Sequence, residues 1–274
     1  MDELLRAGAD VRLADLDTRA TPGFDGDKDA GVEALAAGAI ELSELQEKLF
    51  AASRAGDERR ILLVLQAMDT AGKGGIVRHV VGAVDPQGVA LAAFKKPTPE
   101  ELAEHFLARI ERRLPGPGLI GVFDRSHYED VLIARVRELA PADEIERRYG
   151  EIRDFERRLV DGGTRVIKVM LFISPDEQKQ RLRERLDRPD KHWKYNPGDV
   201  DERMLWPHYM QAYERAIAET DADHAPWFVV PADRKWFARL AVLHLLLREL
   251  RALDPQWPVT DYDVEAEKQR LAAS

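Results

Sequence analysis

Five short apolar runs, separated by stretches with helical periodicity, limit the fold of this chain more than any other feature. The runs lie at residues 61–67, 89–94, 119–123, 166–173 and 227–230. They are almost continuously apolar rather than alternating, which is typical of strands buried on both faces of a parallel sheet. Apolar residues also recur at helical spacing from Ile145 to Leu159 and from Trp236 to Leu250. This order predicts an α/β sandwich of three layers around a parallel sheet of about five strands.

The composition excludes several kinds of site. The chain has 274 residues and no cysteine, so disulfides, cysteine-based zinc sites and thiol nucleophiles are excluded. Its seven histidines match no metal-binding spacing such as HExxH. The first residues lack the basic and apolar regions of a signal peptide, and no apolar run approaches the roughly 18 residues of a membrane span. We therefore expect a cytoplasmic protein without membrane contact, and the net charge of −9 argues against a nucleic-acid partner.

We expect a single domain over residues 1–274, because no linker is long enough to require a second one. Residues 1–58 are polar, acidic and alanine-rich, and they are predicted to form an extended arm and one helix near residues 42–55. Residues 174–210 are predicted to form a lid region. Within it, the stretch PDKHWKYNPGD, residues 189–199, interrupts two helical segments, and its proline and glycine content indicates a mobile flap.

The stretch LQAMDTAGKGG, residues 65–75, follows the first predicted strand and precedes a helical segment. It resembles the phosphate loop GxxxxGK[ST], in which backbone N–H groups cradle phosphate, the lysine reaches the terminal phosphates and the hydroxyl holds Mg²⁺. Two residues differ from this pattern, since Ala67 replaces the first glycine and Gly74 replaces the hydroxyl residue. The strand-loop-helix context favours a phosphate site over an ordinary glycine-rich turn. The expected phosphate-binding residues of the loop are Gly72, Lys73, Gly74 and Gly75.

Carboxylates offer a replacement for the missing hydroxyl. The third predicted strand ends in Asp124, within LIGVFDRSHYEDVL, and Asp69 lies inside the loop. Mg²⁺ binds proteins through one or two carboxylates together with substrate phosphates and water, so Asp69 and Asp124 are the predicted metal ligands. Arg125 is expected to pair with a phosphate group. The alternative is that Asp124 and Arg125 only cap a helix that begins near Ser126.

Positive charge is concentrated in KQRLRERLDRPDKHWK, residues 179–194, which has seven Lys or Arg against three acids. On a helix, Arg181 and Arg185 project from the same face and form a row suited to repeating anionic groups. Lys191 and Lys194 continue the positive charge into the flap, and Lys95 ends the second predicted strand at the same edge of the sheet. The alternative is a solvated helix face without a ligand.

Several long motifs, in order, carry a family resemblance. They are AMDTAGKGG, the DPQG turn at residues 85–88, FKKPTPEEL from Phe94, FDRSHYEDVL from Phe123, RLRERLDRPDKHWK from Arg181 and APWFVVPADRKWFARL from Ala225. Over residues 40–250 the chain resembles the polyphosphate kinase type 2 family. The resemblance implies a P-loop kinase-like fold with a helical lid. It assigns the Walker roles to Asp69, Lys73, Asp124 and Arg125, and phosphate contacts in the lid to Arg181 and Arg185.

The resemblance implies a Mg²⁺-dependent phosphotransferase that moves a phosphoryl group between inorganic polyphosphate and AMP or ADP, giving ADP or ATP. The spellings LQAMD and HVVGAVDPQG are closest to the branch that accepts AMP as well as ADP. Guanine nucleotides are further candidate acceptors, and we expect a homo-oligomer. Two alternatives stay open at this point: an ATP-dependent kinase of the same fold, and a non-catalytic nucleotide-binding protein with a disabled loop.

Other residues whose side chains could take part in catalysis or binding are expected to be structural. His127 follows Arg125 closely, but a packed histidine is the simpler interpretation. The residues Trp206, Tyr209 and Tyr213 recur at helical spacing, which predicts a core-facing stripe.

Overall fold

A computed structural model describes residues 1–274 and contains one sheet of five parallel strands. The strands are β1 (Arg60–Ala67), β2 (Val89–Ala93), β3 (Ile120–Asp124), β4 (Thr164–Phe172) and β5 (Trp227–Pro231). All five predicted strands are confirmed with small shifts at their ends. The α/β class follows from them, because each parallel neighbour needs a crossover that carries helices to the faces of the sheet.

The strand order β2-β3-β1-β4-β5 places β1 in the centre. The chain leaves β1 towards one side of the sheet for β2 and β3 and then crosses to the other side for β4 and β5. Crevices for ligands form at such reversals, beyond the carboxyl ends of the strands. In the register, Asp124 pairs with Leu65 of β1 and with Ala93 of β2, so the residues that follow these strands meet at one edge.

Twelve α-helices accompany the sheet. They are α1 (Asp2–Leu5), α2 (Lys28–Arg54), α3 (Lys73–His79), α4 (Pro99–Leu102), α5 (Ala108–Glu111), α6 (Ile133–Val136), α7 (Ala142–Asp161), α8 (Pro175–Asp187), α9 (Gly198–Met204), α10 (Trp206–Thr220), α11 (Lys235–Leu253) and α12 (Val264–Ala272). Short 3₁₀ segments include His127–Asp130 and Pro189–Lys194. None of these helices combines the length and the apolar composition of a membrane span.

Two apolar cores lie on opposite faces of the sheet. Ile61, Leu63 and Leu65 of β1 pack with α2, α3 and α11 on one face. Leu62 and Val64 pack with α7 and α10 on the other. Because successive side chains of a strand point to opposite faces, a continuously apolar strand requires this three-layer arrangement.

The helix predicted near residues 42–55 is much longer in the structure, and this boundary was wrong. α2 begins at Lys28, and the side chain of Asp27 caps it by accepting from the N–H groups of two residues in the first turn. A Cβ atom at Gly31 would lie 2.3 Å from the Trp236 ring, so glycine here allows α2 to pack closely on α11. The weakly patterned residues before position 42 are therefore helical because of tertiary packing.

The N-terminal arm covers the edge of the sheet at β5. The N–H of Ala7 donates to the carbonyl of Trp227 at 2.9 Å, and Arg6 forms an antiparallel bridge with Phe228. Arg6 also pairs with Asp221 at 3.0 Å. An exposed strand edge would otherwise present unpaired backbone groups.

Candidate active site

The loop after β1 has the geometry of an anion site. It turns through two residues in the left-handed region, Thr70 with φ 65° and Gly72 with φ 126°. α3 then begins at Lys73, and the N–H groups of Gly72, Lys73 and Gly74 have no acceptor within the chain. Unpaired N–H groups at a helix start are donors for an anion.

The first departure from the phosphate-loop pattern, an alanine in place of the first glycine, has a structural explanation. Ala67 is still a residue of β1, pairs with Leu171 of β4 and packs in the apolar core. Its Cβ therefore does not interfere with the loop. The ammonium group of Lys73 donates to the carbonyl of Ala67 at 3.3 Å, which holds the lysine across the loop.

Asp69, Asp124 and Arg125 meet beside this loop, as the sequence predicted. Arg125 donates to the Asp69 carboxylate at 3.0 Å, whereas the carboxylate of Asp124 has no hydrogen bond or ion pair. Arg125 has φ 65°, and its N–H donates to the carbonyl of Leu65 at 3.0 Å. Burial opposes the charge of Arg125, but carboxylates including Glu129 and Asp69 outweigh it and raise the pKa of Arg125.

The capping alternative for Asp124 and Arg125 is wrong. The 3₁₀ segment after β3 is capped by Ser126, whose hydroxyl accepts from the N–H of Tyr128 at 3.2 Å. His127 is fully buried against Glu156 at 3.3 Å, so the packed interpretation of this histidine is confirmed. Asp124 is therefore free to meet a ligand.

The loop opens into a cavity of about 560 Å³. Six basic side chains line it against two carboxylates: Lys73, Arg78, Lys95, Arg125, Arg185 and Lys194 against Asp69 and Asp124. Four of the six, Lys73, Arg78, Lys95 and Lys194, have no carboxylate within ion-pair distance. In a protein of net charge −9, this concentration of unpaired positive charge suits a ligand with many negative charges.

The predicted row of lid arginines is not formed. Arg185 reaches the cavity, but Arg181 is 4 % exposed and lies behind the loop. α8 ends at Asp187, and Arg188 beyond it pairs with Asp190 at 2.8 Å. Lys191 pairs with the same Asp190 at 3.5 Å and does not line the cavity. The part of this α8 face around Arg181 is instead covered by the loop, whereas Arg185 on the same face lines the cavity.

A smaller cavity of about 190 Å³ adjoins the first one and shares Asp69 and Arg125 with it. Its other lining residues are Ala67, Met68, Glu129, Leu132, Ile133, Asn196, Gly198, Asp199, Glu202, Tyr209 and Tyr213. Tyr209 and Tyr213 are buried, as predicted for core residues, and they also form a wall of this cavity. The mixture of apolar and polar groups suits a small organic ligand better than a bare anion.

An ion pair crosses between α8 and α9 at the junction of the two cavities. Arg185 donates to Asp199 at 3.2 Å and to the carbonyl of Lys194 at 2.9 Å. Burial and the nearby Asp69 raise the pKa of Asp199 to about 6, although Arg185 favours its ionised form.

The carboxylates of the site can hold one hard divalent cation only when a ligand supplies further oxygen atoms. No cluster of three or more potential metal-binding side chains exists in the structure. Asp124 offers an unpaired carboxylate, and Asp69 offers a second one that Arg125 partly engages. Mg²⁺ accepts one or two carboxylates and completes its shell with phosphate oxygens and water, so these residues fit that ion when phosphate is present.

The comparisons with known proteins agree with this geometry. The family model described as polyphosphate kinase 2 matches residues 25–258. The chain belongs to the polyphosphate kinase 2 family. The predicted family is thereby confirmed, and the match extends beyond the stretch 40–250 that carried the resemblance.

Within the polyphosphate kinase 2 family, the chain is similar to several named relatives over most of its length. It is 47% identical over 238 residues to the AMP/ADP-polyphosphate phosphotransferase of Meiothermus ruber, covering 87% of this chain and 88% of that one. It is 40% identical to the ADP-polyphosphate phosphotransferase of Rhodopseudomonas palustris, with 92% and 90% covered. The crystal structure of polyphosphate kinase 2 from Arthrobacter aurescens TC1 matches with 57% identity and a TM-score of 0.97, covering 99% of this chain and 96% of that chain.

Sequence reasoning missed several residues that line the cavities of this polyphosphate kinase 2 family member. Arg78 lies on α3, one turn beyond the loop glycines, and helical spacing from the loop was the signal that could have found it. Glu129 belongs to the quoted motif FDRSHYEDVL but received no role. Asn196 and Glu202 come from the lid region, and no local pattern reports which cavity they reach.

Proposed function

We propose that this protein transfers a phosphoryl group between inorganic polyphosphate and the adenine nucleotides AMP and ADP. The single observation that carries the proposal is the larger cavity, in which six cations face two carboxylates beside a phosphate loop. A polymer of phosphates can pair with each of these cations. The name of the Meiothermus ruber relative supports AMP and ADP as acceptors, and the name of the Rhodopseudomonas palustris relative supports ADP.

The two adjoining cavities suggest a division of roles. The larger, cationic cavity would hold polyphosphate, and the smaller one, with Tyr209 and Tyr213 in its wall, would hold the nucleotide. Asp69 and Arg125 belong to both cavities, so the transferred group would pass between them at this point. Arg125 can neutralise the charge of the transferring group there.

The chemistry asks for positioning and charge neutralisation rather than a strong base. The attacking phosphate of a nucleotide is already ionised at neutral pH, so no side chain needs to remove a proton from it. Lys73 and the N–H groups of the loop would bind the terminal phosphates. Mg²⁺, held by Asp69 and Asp124, would supply further neutralisation of phosphate charge.

A donor screen tests this proposal. Purified protein is incubated with AMP, ADP, GMP or GDP, with either polyphosphate or ATP as donor, and products are separated by chromatography. We expect AMP with polyphosphate to accumulate first ADP and then ATP. Transfer from ATP to AMP without any use of polyphosphate would instead favour the ATP-dependent kinase, and refusal of AMP at millimolar concentration would restrict the acceptor to ADP.

Three finer points from the sequence stay predictions. Use of guanine nucleotides is decided by the GMP and GDP arms of the screen. A homo-oligomer is tested by light scattering of the purified protein. The cytoplasmic location is tested by fractionation of the source cells.

A further inference from the structure

Three consecutive carbonyl groups of the phosphate loop accept hydrogen bonds from a single turn of α8. The side-chain amide of Gln178 donates to the carbonyl of Asp69 at 3.1 Å. One nitrogen of Arg181 donates to the carbonyls of Thr70 and Ala71 at 3.0 and 2.8 Å. The two donor residues are three positions apart, so they lie on the same face of the helix.

Arg181 has no donor left for a ligand. A guanidinium group has five N–H donors, and in Arg181 four backbone carbonyls and one carboxylate accept from them. The acceptors are the carbonyls of Thr70, Ala71, Ala232 and Asp233 and the carboxylate of Glu177. Its side chain is 4 % exposed. This residue is therefore built into the frame behind the loop.

The loop requires such support because its backbone is strained. Thr70 is β-branched and has φ 65°, a conformation that β-branched residues rarely adopt. Its hydroxyl is buried without a partner and does not compensate. A strained residue persists only where several contacts hold its conformation. The hydrogen bonds from Gln178 and Arg181 reach the carbonyl of Thr70 and those of the residues on either side of it.

The direction of these carbonyls fixes the direction of the anion donors. In a planar trans peptide, the C=O of one residue and the N–H of the next point in opposite directions. The carbonyl of Ala71 faces Arg181, so the N–H of Gly72 points away from α8. That N–H is one of the donors without an acceptor in the chain.

Gln178 is itself held by a residue of α9. Arg203 of α9 donates to the side-chain oxygen of Gln178 at 3.0 Å. Arginine can only donate, so the atom of Gln178 that faces Arg203 must be the amide oxygen. The NH₂ group of the same amide then faces the carbonyl of Asp69. Gln178 is 1% exposed, so water does not compete for either contact.

We infer that Gln178 and Arg181 are positioning residues that hold the phosphate loop in its anion-binding conformation. They act through the backbone of the loop and do not touch the substrate. The inference rests on the proposed function, since it concerns the same site, and it replaces the phosphate contact that the sequence predicted for Arg181.

The test uses the full chain and two variants with matched controls on α8. Gln178→Met removes, at similar size, both the donor to the carbonyl of Asp69 and the acceptor of Arg203. Arg181→Lys keeps the charge but cannot span four carbonyls. Gln180→Met and Arg183→Lys are the controls, because both residues are exposed and contact only side chains of α8. Measurements are the affinity for inorganic tripolyphosphate by calorimetry, its dependence on salt, kcat and both KM values, and the melting temperature.

We expect tripolyphosphate affinity to fall about tenfold in Gln178→Met and kcat/KM for polyphosphate to fall about a hundredfold in Arg181→Lys, at temperatures where both are folded. The KM for AMP should change little, and the salt dependence should match the wild type. Lys194→Ala, which removes a cation of the cavity, should instead reduce the salt dependence.

Normal tripolyphosphate affinity in folded Gln178→Met would overturn the inference, and this variant decides the matter if Arg181→Lys does not fold. Normal kcat/KM for polyphosphate in folded Arg181→Lys would also overturn it, because the positive charge alone would then suffice without the contacts to four backbone carbonyls. If the wild type binds tripolyphosphate but transfers nothing to nucleotides, the proposed function fails while the positioning roles are still tested by binding.

Discussion

The two carboxylates of the candidate active site differ in their surroundings, but both are predicted metal ligands. Asp124 has no partner, whereas Asp69 is held by Arg125. We expect Asp124→Asn and Asp69→Asn each to reduce turnover about a hundredfold or more, because each removes a predicted metal ligand at the solvent edge of the sheet. Asp187→Asn is the control, since Asp187 is exposed and pairs only with Arg183.

The measurement is steady-state turnover with polyphosphate and AMP over a range of Mg²⁺ concentrations, together with circular dichroism. Both variants should keep the wild-type spectrum and should require more Mg²⁺ for half-maximal rate. A folded Asp124→Asn protein with near-normal turnover would remove Asp124 from the set of metal ligands.

Asp199 makes the folding stability of the protein depend on pH. Its pKa is raised to about 6 by burial and by Asp69, with Arg185, Arg125 and Lys73 acting in the opposite direction. A raised carboxyl pKa means that the folded state binds more protons than the unfolded state between about pH 4 and 6. Stability from the neutral form is therefore complete below pH 4 and is lost as the pH rises through 6.

The corresponding experiment compares Asp199→Asn with the wild type in urea at pH 4.5 and pH 7.5. Asparagine does not titrate, so the variant should gain unfolding free energy relative to the wild type as the pH rises. An equal difference at both pH values would show that the pKa of Asp199 is not raised in the folded protein.

At the residue scale, the sequence predicted which residues surround the loop, and the roles of these residues stay predictions. Asp69, Lys73, Asp124 and Arg125 were found because parallel strands end at one edge and the loop motif is local. The role of Arg181 could not be found in this way. Helical spacing identifies a face, but the loop that covers that face comes from residues more than 100 positions earlier in the chain.

At the scale of elements, a buried ion pair supports the segment that follows Arg125. The ammonium of Lys168 on β4 donates to Glu156 of α7 at 2.6 Å, and both side chains are almost fully buried. Tyr128, in the 3₁₀ segment, donates to the same carboxylate at 2.8 Å. β4, α7 and the turn after β3 are thus joined by one polar cluster.

Glu156→Gln should therefore destabilise the protein by about 3–5 kcal/mol, because it leaves the charge of Lys168 buried without a counterion. The double variant Glu156→Gln, Lys168→Met should recover part of this loss, since the uncompensated charge is gone. Urea denaturation measures both. If the double variant were less stable than Glu156→Gln alone, the loss would come from packing rather than from the unpaired charge.

The elements themselves were predictable to different degrees for physical reasons. Strands buried on both faces have a strong local pattern, so all five were located from the sequence. α7 and α11 were also found, because apolar stripes report which side faces the sheet. The start of α2 was not, since its first turns carry no apolar stripe and pack closely through the contact of Gly31 with Trp236, which only the tertiary structure creates.

At the scale of the whole molecule, the local charge of the larger cavity is positive although the net charge of the protein is negative. The protein carries −9 overall, which repels a polyanion at long range, while unpaired cations gather in one cavity. Long-range repulsion between exposed charges is screened by salt within about 10 Å at 0.1 M. The affinity of an anionic ligand inside the cavity also falls with added salt, and it falls more steeply when more charges are paired.

The KM for polyphosphate should therefore rise more steeply with salt than the KM for AMP, because the polymer pairs with more cations than a monophosphate can. Lys194→Ala removes one cavity cation that has no acidic partner, so it should raise the KM for polyphosphate and flatten its salt dependence, with little change for AMP. Arg183→Ala, which removes an exposed charge outside the cavity, is the control and should behave like the wild type. Steady-state kinetics between 50 and 300 mM salt, on the order of the range in which screening changes most, makes the comparison. Equal salt dependence for both substrates, unaffected by Lys194→Ala, would mean that the cavity holds no more of the donor than one nucleotide's phosphates, and the ATP-dependent kinase would then be the better interpretation of the same site.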